Sequence, residues 1–361
     1  MKIAMFTLMN LGGMIHYTSQ FANSLSKYAN VHVIIGSQVD KNLFNENISL
    51  HLIELNPIRS LNRYFLDLKN IINVLDEINP DIIHISGNSY WIFGLYFYLK
   101  KRNVVLTVHD VNIHLGEKYY LANILTNKVH LNLARHYFVH GENLKDLMIK
   151  KGYSGKDISV IKHGDYSFFT KYTKDGVQED GSVLFFGRIL DYKGLEYLIE
   201  TVPIIKKQLP NINVIIAGNG DFAKYNSLIK SPQNFEIINE FIPDEHVAEL
   251  FQRASVVVLP YIEGSQTGII PIASSFKKPA ISTNVGSIPE IIEDGVTGYI
   301  VPSRNVDLLA DSIVKILKDD TLRKQMGEKA YAKMKKELSW DAIAKDVIPT
   351  YRRILGNEAL K

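Results

Sequence analysis

Residues 256–292 read VVVLPYIEGSQTGIIPIASSFKKPAISTNVGSIPEII. The opening run is β-branched, continuously apolar and ends at Pro260. That is the composition of a strand buried on both faces of a parallel sheet. Tyr261-Ile262-Glu263-Gly264 then forms a loop, and Ser265-Gln266-Thr267-Gly268 opens a helix that Lys278-Pro279 ends. A second short strand follows at 280–283. Asn284-Val285-Gly286-Ser287 leads on to Pro289-Glu290, a proline beside an acid at a helix start. Strand, loop, helix and strand in one stretch make a unit of alternating α/β structure.

The same rhythm extends both ways. Residues 182–187, 213–218, 235–239 and 298–301 read as further strands, with helical patterns at 194–208, 245–253, 307–319 and 321–338. Upstream, strands are expected at 2–8, 31–36, 49–54, 82–86, 104–109 and 137–140. Helices are expected at 17–28, 61–78 and 144–151. The expected fold class is therefore α/β, with two Rossmann-like halves, and 361 residues suffice for two domains. The polar, glycine-containing stretch SFFTKYTKDGVQEDG at 167–181 reads as a linker. The expected divisions are 1–166, 167–181, 182–340 and a last helix at 341–361. Trp340, Ile343, Ile348, Tyr351 and Ile354 recur there at roughly helical spacing, and the helix is expected to return to the first domain.

Composition narrows the function classes. Apolar residues make up 46% and the formal net charge is +3, too weak a bias to argue for nucleic acid. Residues 1–170 carry 17 Lys and Arg against 13 Asp and Glu, and ten of the eleven histidines. That half could meet anionic lipid or an anionic acceptor, or simply be an ordinary solvated surface. With no cysteine, disulfides and Cys-based metal sites are excluded, which fits a reducing cytoplasm. MKIAMFTLMN reads as a buried first strand rather than a signal peptide, and no stretch approaches a membrane span. The most apolar window, SYWIFGLYFYL at 89–99, is followed by Lys100-Lys101-Arg102. It reads as a buried helix, with an interfacial one as the alternative.

In a doubly wound sheet ligands bind beyond the carboxyl ends of strands, so loops after strands hold the candidate residues. The first, Asn10-Leu11-Gly12-Gly13-Met14, allows close backbone approach and offers amides to an anion. A turn needing positive φ would read the same. The second is FFGRILDYKG at 185–194, where Arg188 and Lys193 stand at a strand end and a helix start. Arg could grip a diphosphate in bidentate fashion and Lys as a point charge, although surface cations near loops are common. The third is the Glu263 loop. A carboxylate suits sugar hydroxyls better than phosphate, whereas the amides at Thr267 and Gly268 suit phosphate. His109, in Thr107-Val108-His109-Asp110, could bond a sugar hydroxyl or be structural. His16 is an acceptor or phosphate candidate. His163, before Gly164-Asp165 at the expected hinge, reads as structural.

Taken together, Gly12-Gly13, Gly187-Arg188…Lys193-Gly194, Ala217-Gly218-Asn219-Gly220 and Glu263-Gly264…Lys278-Pro279…Thr283…Gly286…Pro289-Glu290 resemble family 4 of the retaining glycosyltransferases. Gly295-Val296-Thr297-Gly298 and Trp340 also match. The resemblance spans the chain and is densest at 183–301. It implies the GT-B fold, two facing Rossmann-like domains with a C-terminal helix crossing back to the first. It also implies sugar transfer from a nucleoside diphosphate donor to a glycan or lipid-linked acceptor, with retention, in cell-surface polysaccharide synthesis. The implied catalytic residues are His109, Arg188, Lys193 and Glu263. The implied donor-binding residues are Gly12, Gly13, Gly187, Gly218, Phe241, Ile242, Gly264, Thr267 and Gly268.

The chain also departs from that pattern. The family's second glutamate, eight positions after the first, is Pro271 here, so its ribose contact is not carried over. The small-aromatic pair after Glu-Gly is Ser265-Gln266. No Asp-x-Asp motif occurs, and neither metal nor cofactor is expected. Cytoplasmic placement is expected, with peripheral contact at an anionic inner membrane face as an extension. Sugar-nucleotide epimerases, phosphorylases and hinged sugar-binding proteins remain alternative readings. Release of nucleoside diphosphate from a nucleotide-sugar separates transfer from binding alone.

Overall fold

A computed structural model describes residues 1–8, 12–54, 61–87, 89, 91–112 and 120–356. Asn10 and Leu11 of the first loop, Tyr90 of the aromatic run and the tail beyond 356 lie outside the described residues.

The chain divides into two compact units, and each carries its own parallel sheet. The first contains β1 (Lys2–Phe6), α1 (Gly13–Leu25), β2 (Asn30–Gly36), β3 (Ser49–Ile53), α2 (Leu61–Ile78), β4 (Ile82–Ile85), α3 (Trp91–Leu99), β5 (Val104–Val108), α4 (Tyr120–Leu133), β6 (His136–Val139), α5 (Glu142–Lys150) and β7 (Ile158–Val160). Its strands run in the order β3-β2-β1-β4-β5-β6-β7. The second contains β8 (Ser182–Phe186), α6 (Leu195–Ile205), β9 (Val214–Ala217), β10 (Phe235–Ile238), α7 (Asp244–Arg253), β11 (Ala254–Leu259), α8 (Ile269–Ser275), β12 (Ala280–Thr283), β13 (Gly298–Val301), α9 (Val306–Lys318) and α10 (Asp320–Glu337). Its order is β10-β9-β8-β11-β12-β13. The continuously apolar runs became strands because both sheet faces are covered: β4, β5, β9, β11 and β12 are buried at every position. Side-chain caps start α9 and α10, where Asn305 and Asp319 accept from the amides of Leu308 (3.0 Å) and Leu322 (2.8 Å).

In both sheets the strand order reverses once, between β1 and β4 and between β8 and β11. At such a switch point the two following helices lie on opposite faces, which opens a crevice at the carboxyl ends. The loops carrying Gly12-Gly13, Gly187-Arg188 and Glu263 all leave from switch-point strands.

The last helix, α11 (Trp340–Ile354), belongs to the first unit and packs on α1. Trp340, Ile343, Ala344, Val347, Ile348 and Tyr351 share a core with Ile3, Met5 and Phe21. The Tyr351 hydroxyl hydrogen-bonds buried His84 of β4, whose other nitrogen meets the Thr107 hydroxyl at 2.7 Å. The chain thus passes between units at Gly164 and Asp165, and again at Leu338 and Ser339.

One boundary differs from the sequence reading. Residues 167–181 are part of the second unit, not a linker between units. Ser167–Tyr172 is a short 3-10 helix packed on α7 and α8, and Phe169 is in the core with Leu184 and Phe251. Farther on, Glu179 accepts from Lys278 Nζ (2.7 Å), Arg323 Nε (2.6 Å) and Ser255 Oγ (2.9 Å). The polarity that looked like solvated chain is a set of ion-pair partners. The aromatic run also divides. In α3, Trp91, Ile92, Leu95 and Leu99 are buried, while Phe97 is 81% exposed.

Candidate functional site

In the second unit, β8 ends at Phe186 and the chain turns through Gly187, whose amide bonds the Ala217 carbonyl at 2.9 Å. Arg188 is exposed beyond the strand end. A short 3-10 turn, Asp191–Lys193, then delivers Lys193 inward, and only 7% of that residue is exposed. Its Nζ donates to the Tyr261 hydroxyl at 2.9 Å and lies 4.8 Å from that ring's centroid. Gly194 follows in the left-handed region at φ 62°. A Cβ there would lie 2.1 Å from the Pro260 carbonyl oxygen, so the Lys-Gly pair is fixed by the approach of the next switch-point strand.

The Glu263 loop is held against that turn. The amides of Ile262 and Glu263 point to the Tyr192 carbonyl at 2.7 and 3.4 Å. The Tyr261 carbonyl accepts from Thr283 (2.6 Å) and Ser303 (3.1 Å). The Tyr261 side chain is the hub: Lys193 and the Thr267 hydroxyl both bond it, and the Arg188 charge acts on it. Burial raises its phenol well above the ordinary value, against the opposing pull of Thr267 and Arg188. The phenol therefore stays neutral and accepts from Lys193. Thr267 also accepts from the Ile269 amide at 3.2 Å, which shapes the start of α8.

Gly187 and Gly218 form the floor. At φ 148°, a Cβ on Gly218 would stand 2.0 Å from the Gly187 carbonyl oxygen. The two backbones therefore approach as only glycine allows. Arg188, Lys193, Glu263, Gly187, Gly218, Gly264, Thr267 and Gly268 thus gather at one switch point. Phe241 and Ile242 follow β10 at the sheet edge. Phe241 is 54% exposed, and Ile242 is buried in the core that contains Tyr261 and Ile269.

Three features of the site take their meaning from the structure. Tyr261 was read as loop, and only its place directly after Pro260 hinted at more. Gln266 has a carbonyl oxygen closed to solvent and without a hydrogen-bond partner in the protein. Pro271 lies at the third residue of α8, where the backbone needs no intrahelical N–H donor, and it is buried. Helix α8 has seven residues, about two turns, too short for a long macrodipole.

In the first unit, Gly12 caps α1 at φ 82° and Gly13 is its first residue. A Cβ at either would meet open space. His16 and Tyr17 follow on the buried side of the first turn. His109, just after β5, packs edge-on to Tyr17 with centroids 4.7 Å apart. Both its ring nitrogens are closed to solvent. Burial lowers its pKa to about 4, against Asp110 and the Ser86 carbonyl, so it is a neutral imidazole.

Two parallel-sheet units of this kind make the chain a GT-B protein. Residues 172–333 match the family described as glycosyl transferases group 1, and residues 11–164 match glycosyltransferase family 4. Each unit of the chain thus matches a glycosyltransferase family of its own. An uncharacterized glycosyltransferase of Methanocaldococcus jannaschii, MJ1607, is 31% identical over 182 residues, 49% of this chain and 46% of that protein. A second from the same organism, MJ1178, is 23% identical over 95% of each chain. This chain therefore spans about half the length of the first and nearly all of the second. Among solved structures, Anabaena HepE in complex with UDP and glucose superposes with a TM-score of 0.77 at 17% identity. That match covers 98% of this chain and 100% of HepE.

Proposed function

We propose that this chain transfers a sugar from a nucleoside diphosphate donor to an acceptor hydroxyl, with retention of anomeric configuration. The observation that carries the reading is the placement of two cations, exposed Arg188 and buried Lys193, with the turn amides of residues 264–268 at the switch point of the second sheet. The reaction breaks the bond from the anomeric carbon to the β-phosphate oxygen, and the electron pair leaves with that oxygen. Arg188 and Lys193 hold the negative charge that grows there, in a site organised before reaction begins. Glu263 holds sugar hydroxyls. The acceptor oxygen bonds the anomeric carbon from the face the phosphate leaves, and its proton passes to the departing phosphate. The chemistry balances with these groups alone and calls for no metal.

The donor class is a UDP-sugar, in keeping with the ligand of HepE. With Pro271 in place of a carboxylate, the ribose is read by other groups. Gln266, with its enclosed carbonyl oxygen, offers an acceptor that a sugar hydroxyl would satisfy. The acceptor is a glycan or a glycolipid of cell-surface polysaccharide synthesis, met at the cytoplasmic membrane face. Helix α3, which packs on both α2 and α4, supports this placement: Phe65 and Leu66 of α2, Phe97 of α3 and Leu125 of α4 are each more than half exposed, and Lys69, Lys100 and Lys128 on or next to the same helices are exposed too. Among the described residues no helix is long and apolar enough to cross a membrane.

A panel of UDP-, GDP- and ADP-sugars tests the reading. The true donor raises the melting midpoint by mass action and releases nucleoside diphosphate on turnover. Stabilisation by no nucleotide-sugar, or binding without any release, would refute it.

A further inference from the structure

The chain enters the second unit at Asp165, and on that side its two crossings are tied together: the Asp165 amide donates to the Leu338 carbonyl at 2.9 Å. The Asp165 carboxylate also accepts from the Ser167 amide at 2.9 Å and from the Ser167 hydroxyl at 2.5 Å. Tyr166 stands between these two anchored residues and is buried. Its ring lies nearly parallel to that of Phe169, at 15°, in the core that also contains Leu259, Tyr261 and Ile269.

The phenol end of that ring lies against the turn before α8. A Cβ on Gly268 would stand 3.0 Å from Tyr166 Cε2, 3.1 Å from Cζ and 3.2 Å from the hydroxyl oxygen. Gly268 has an ordinary backbone angle, φ −79°, so glycine is there for space and not for conformation. Thr267, directly before it, has its hydroxyl on Tyr261, and Tyr261 accepts from Lys193 Nζ at 2.9 Å. A continuous series therefore runs from Tyr166 through Gly268, Thr267 and Tyr261 to the Lys193 ammonium. Tyr166, Thr267, Tyr261 and Lys193 are all buried, and close packing leaves the series little slack.

We propose that Tyr166 is a positioning residue: by backing Gly268 it fixes Thr267 and Tyr261, and through them the Lys193 ammonium that meets the diphosphate. Lysine carries its charge on a flexible stem, and an ammonium left loose would lose that freedom each time a donor bound. Held in advance by Tyr261, it binds without that cost. The role rests on the reading of Lys193 as a grip on the donor diphosphate. It also gives the residue next to the crossing a function in binding, beyond filling the core.

The experiment compares UDP with uridine on the full chain, by calorimetry for the first and ligand-observed magnetic resonance for the second. Uridine has no phosphate, so it reports base and ribose binding alone. Tyr166→Leu keeps the core filled and takes the ring away from Gly268. UDP affinity should fall about tenfold while uridine affinity stays within about twofold, a split that simple loss of fold would not give. Tyr166→Phe keeps the ring and should hold UDP within about threefold of wild type. Gly268→Ala presses a methyl against the same ring and should weaken UDP as well. Combined with Tyr166→Leu, which makes room for the methyl, that added loss should shrink below about twofold. UDP binding unchanged in Tyr166→Leu, UDP and uridine weakened together, a Tyr166→Phe no better than Tyr166→Leu, or losses at 166 and 268 that add in full would each overturn the role. A wild-type chain that binds UDP no tighter than uridine would instead remove the diphosphate reading, and this role with it.

Discussion

Lys193→Met isolates the diphosphate grip. Methionine keeps the unbranched stem and removes the charge, and with it the bond to the Tyr261 hydroxyl. Lys193 is 7% exposed, so its field is screened far less than that of exposed Arg188. A unit charge about 4 Å from a developing phosphate charge, at an effective dielectric near 20, interacts by roughly 4 kcal/mol. Loss of one preorganised donor in comparable sites costs about 2.7–4 kcal/mol. A loss of about 3 kcal/mol lowers kcat/KM by roughly 150-fold. The assay is nucleoside diphosphate release from the stabilising donor, with the melting midpoint as control. If the folded variant keeps kcat/KM within about threefold of wild type, Lys193 does not hold the leaving group.

Other expectations follow from the same contacts. Gly218→Ala drives a methyl into the Gly187 carbonyl at a backbone angle open to glycine, so donor-induced stabilisation should vanish while the sheet still folds, as read by circular dichroism. Tyr351→Phe strips buried His84 of a partner and should cost about 1–3 kcal/mol in urea unfolding. His84, packed near His109 and His136, has its pKa lowered to about 3, with burial the largest cause. The unfolded chain therefore binds a proton that the folded one refuses. His84's share of stability is full above pH 6.5 and declines by about 1.4 kcal/mol per pH unit toward pH 3, a slope that His84→Gln should reduce. Phe97→Ser should weaken sedimentation with anionic vesicles, and equal sedimentation would remove the membrane contact.

The switch-point strands were legible because a strand covered on both faces must be apolar throughout, and β11 declares this in its own composition. Their loops were legible too, since glycine and cations stood out at the ends of those runs. What escaped the sequence depends on neighbours. β7 has three residues, too few to show a period. In α4 the apolar residues are spread around the helix and draw no clear stripe. Glu179 looked solvated until Lys278 and Arg323 met it. Tyr261 acquires its place from the turn that delivers Lys193.

The return of α11 to the first unit has a consequence for biosynthesis. Trp340, Ile343, Val347, Ile348 and Tyr351 supply part of that unit's core, roughly 8–15 kcal/mol of burial at about 1.5–3 kcal/mol per side chain. That matches the whole stability of an ordinary domain. The first unit emerges from the ribosome first yet must wait for residues near 351 before it can close. The second unit is continuous from Asp165 to Leu338 and is ready sooner. Folding should therefore proceed against the order of synthesis, with the early half kept in suspense until α11 is made. A chain cut before Trp340 should yield a folded second unit on an unfolded first, visible as protease resistance confined to residues 165–338.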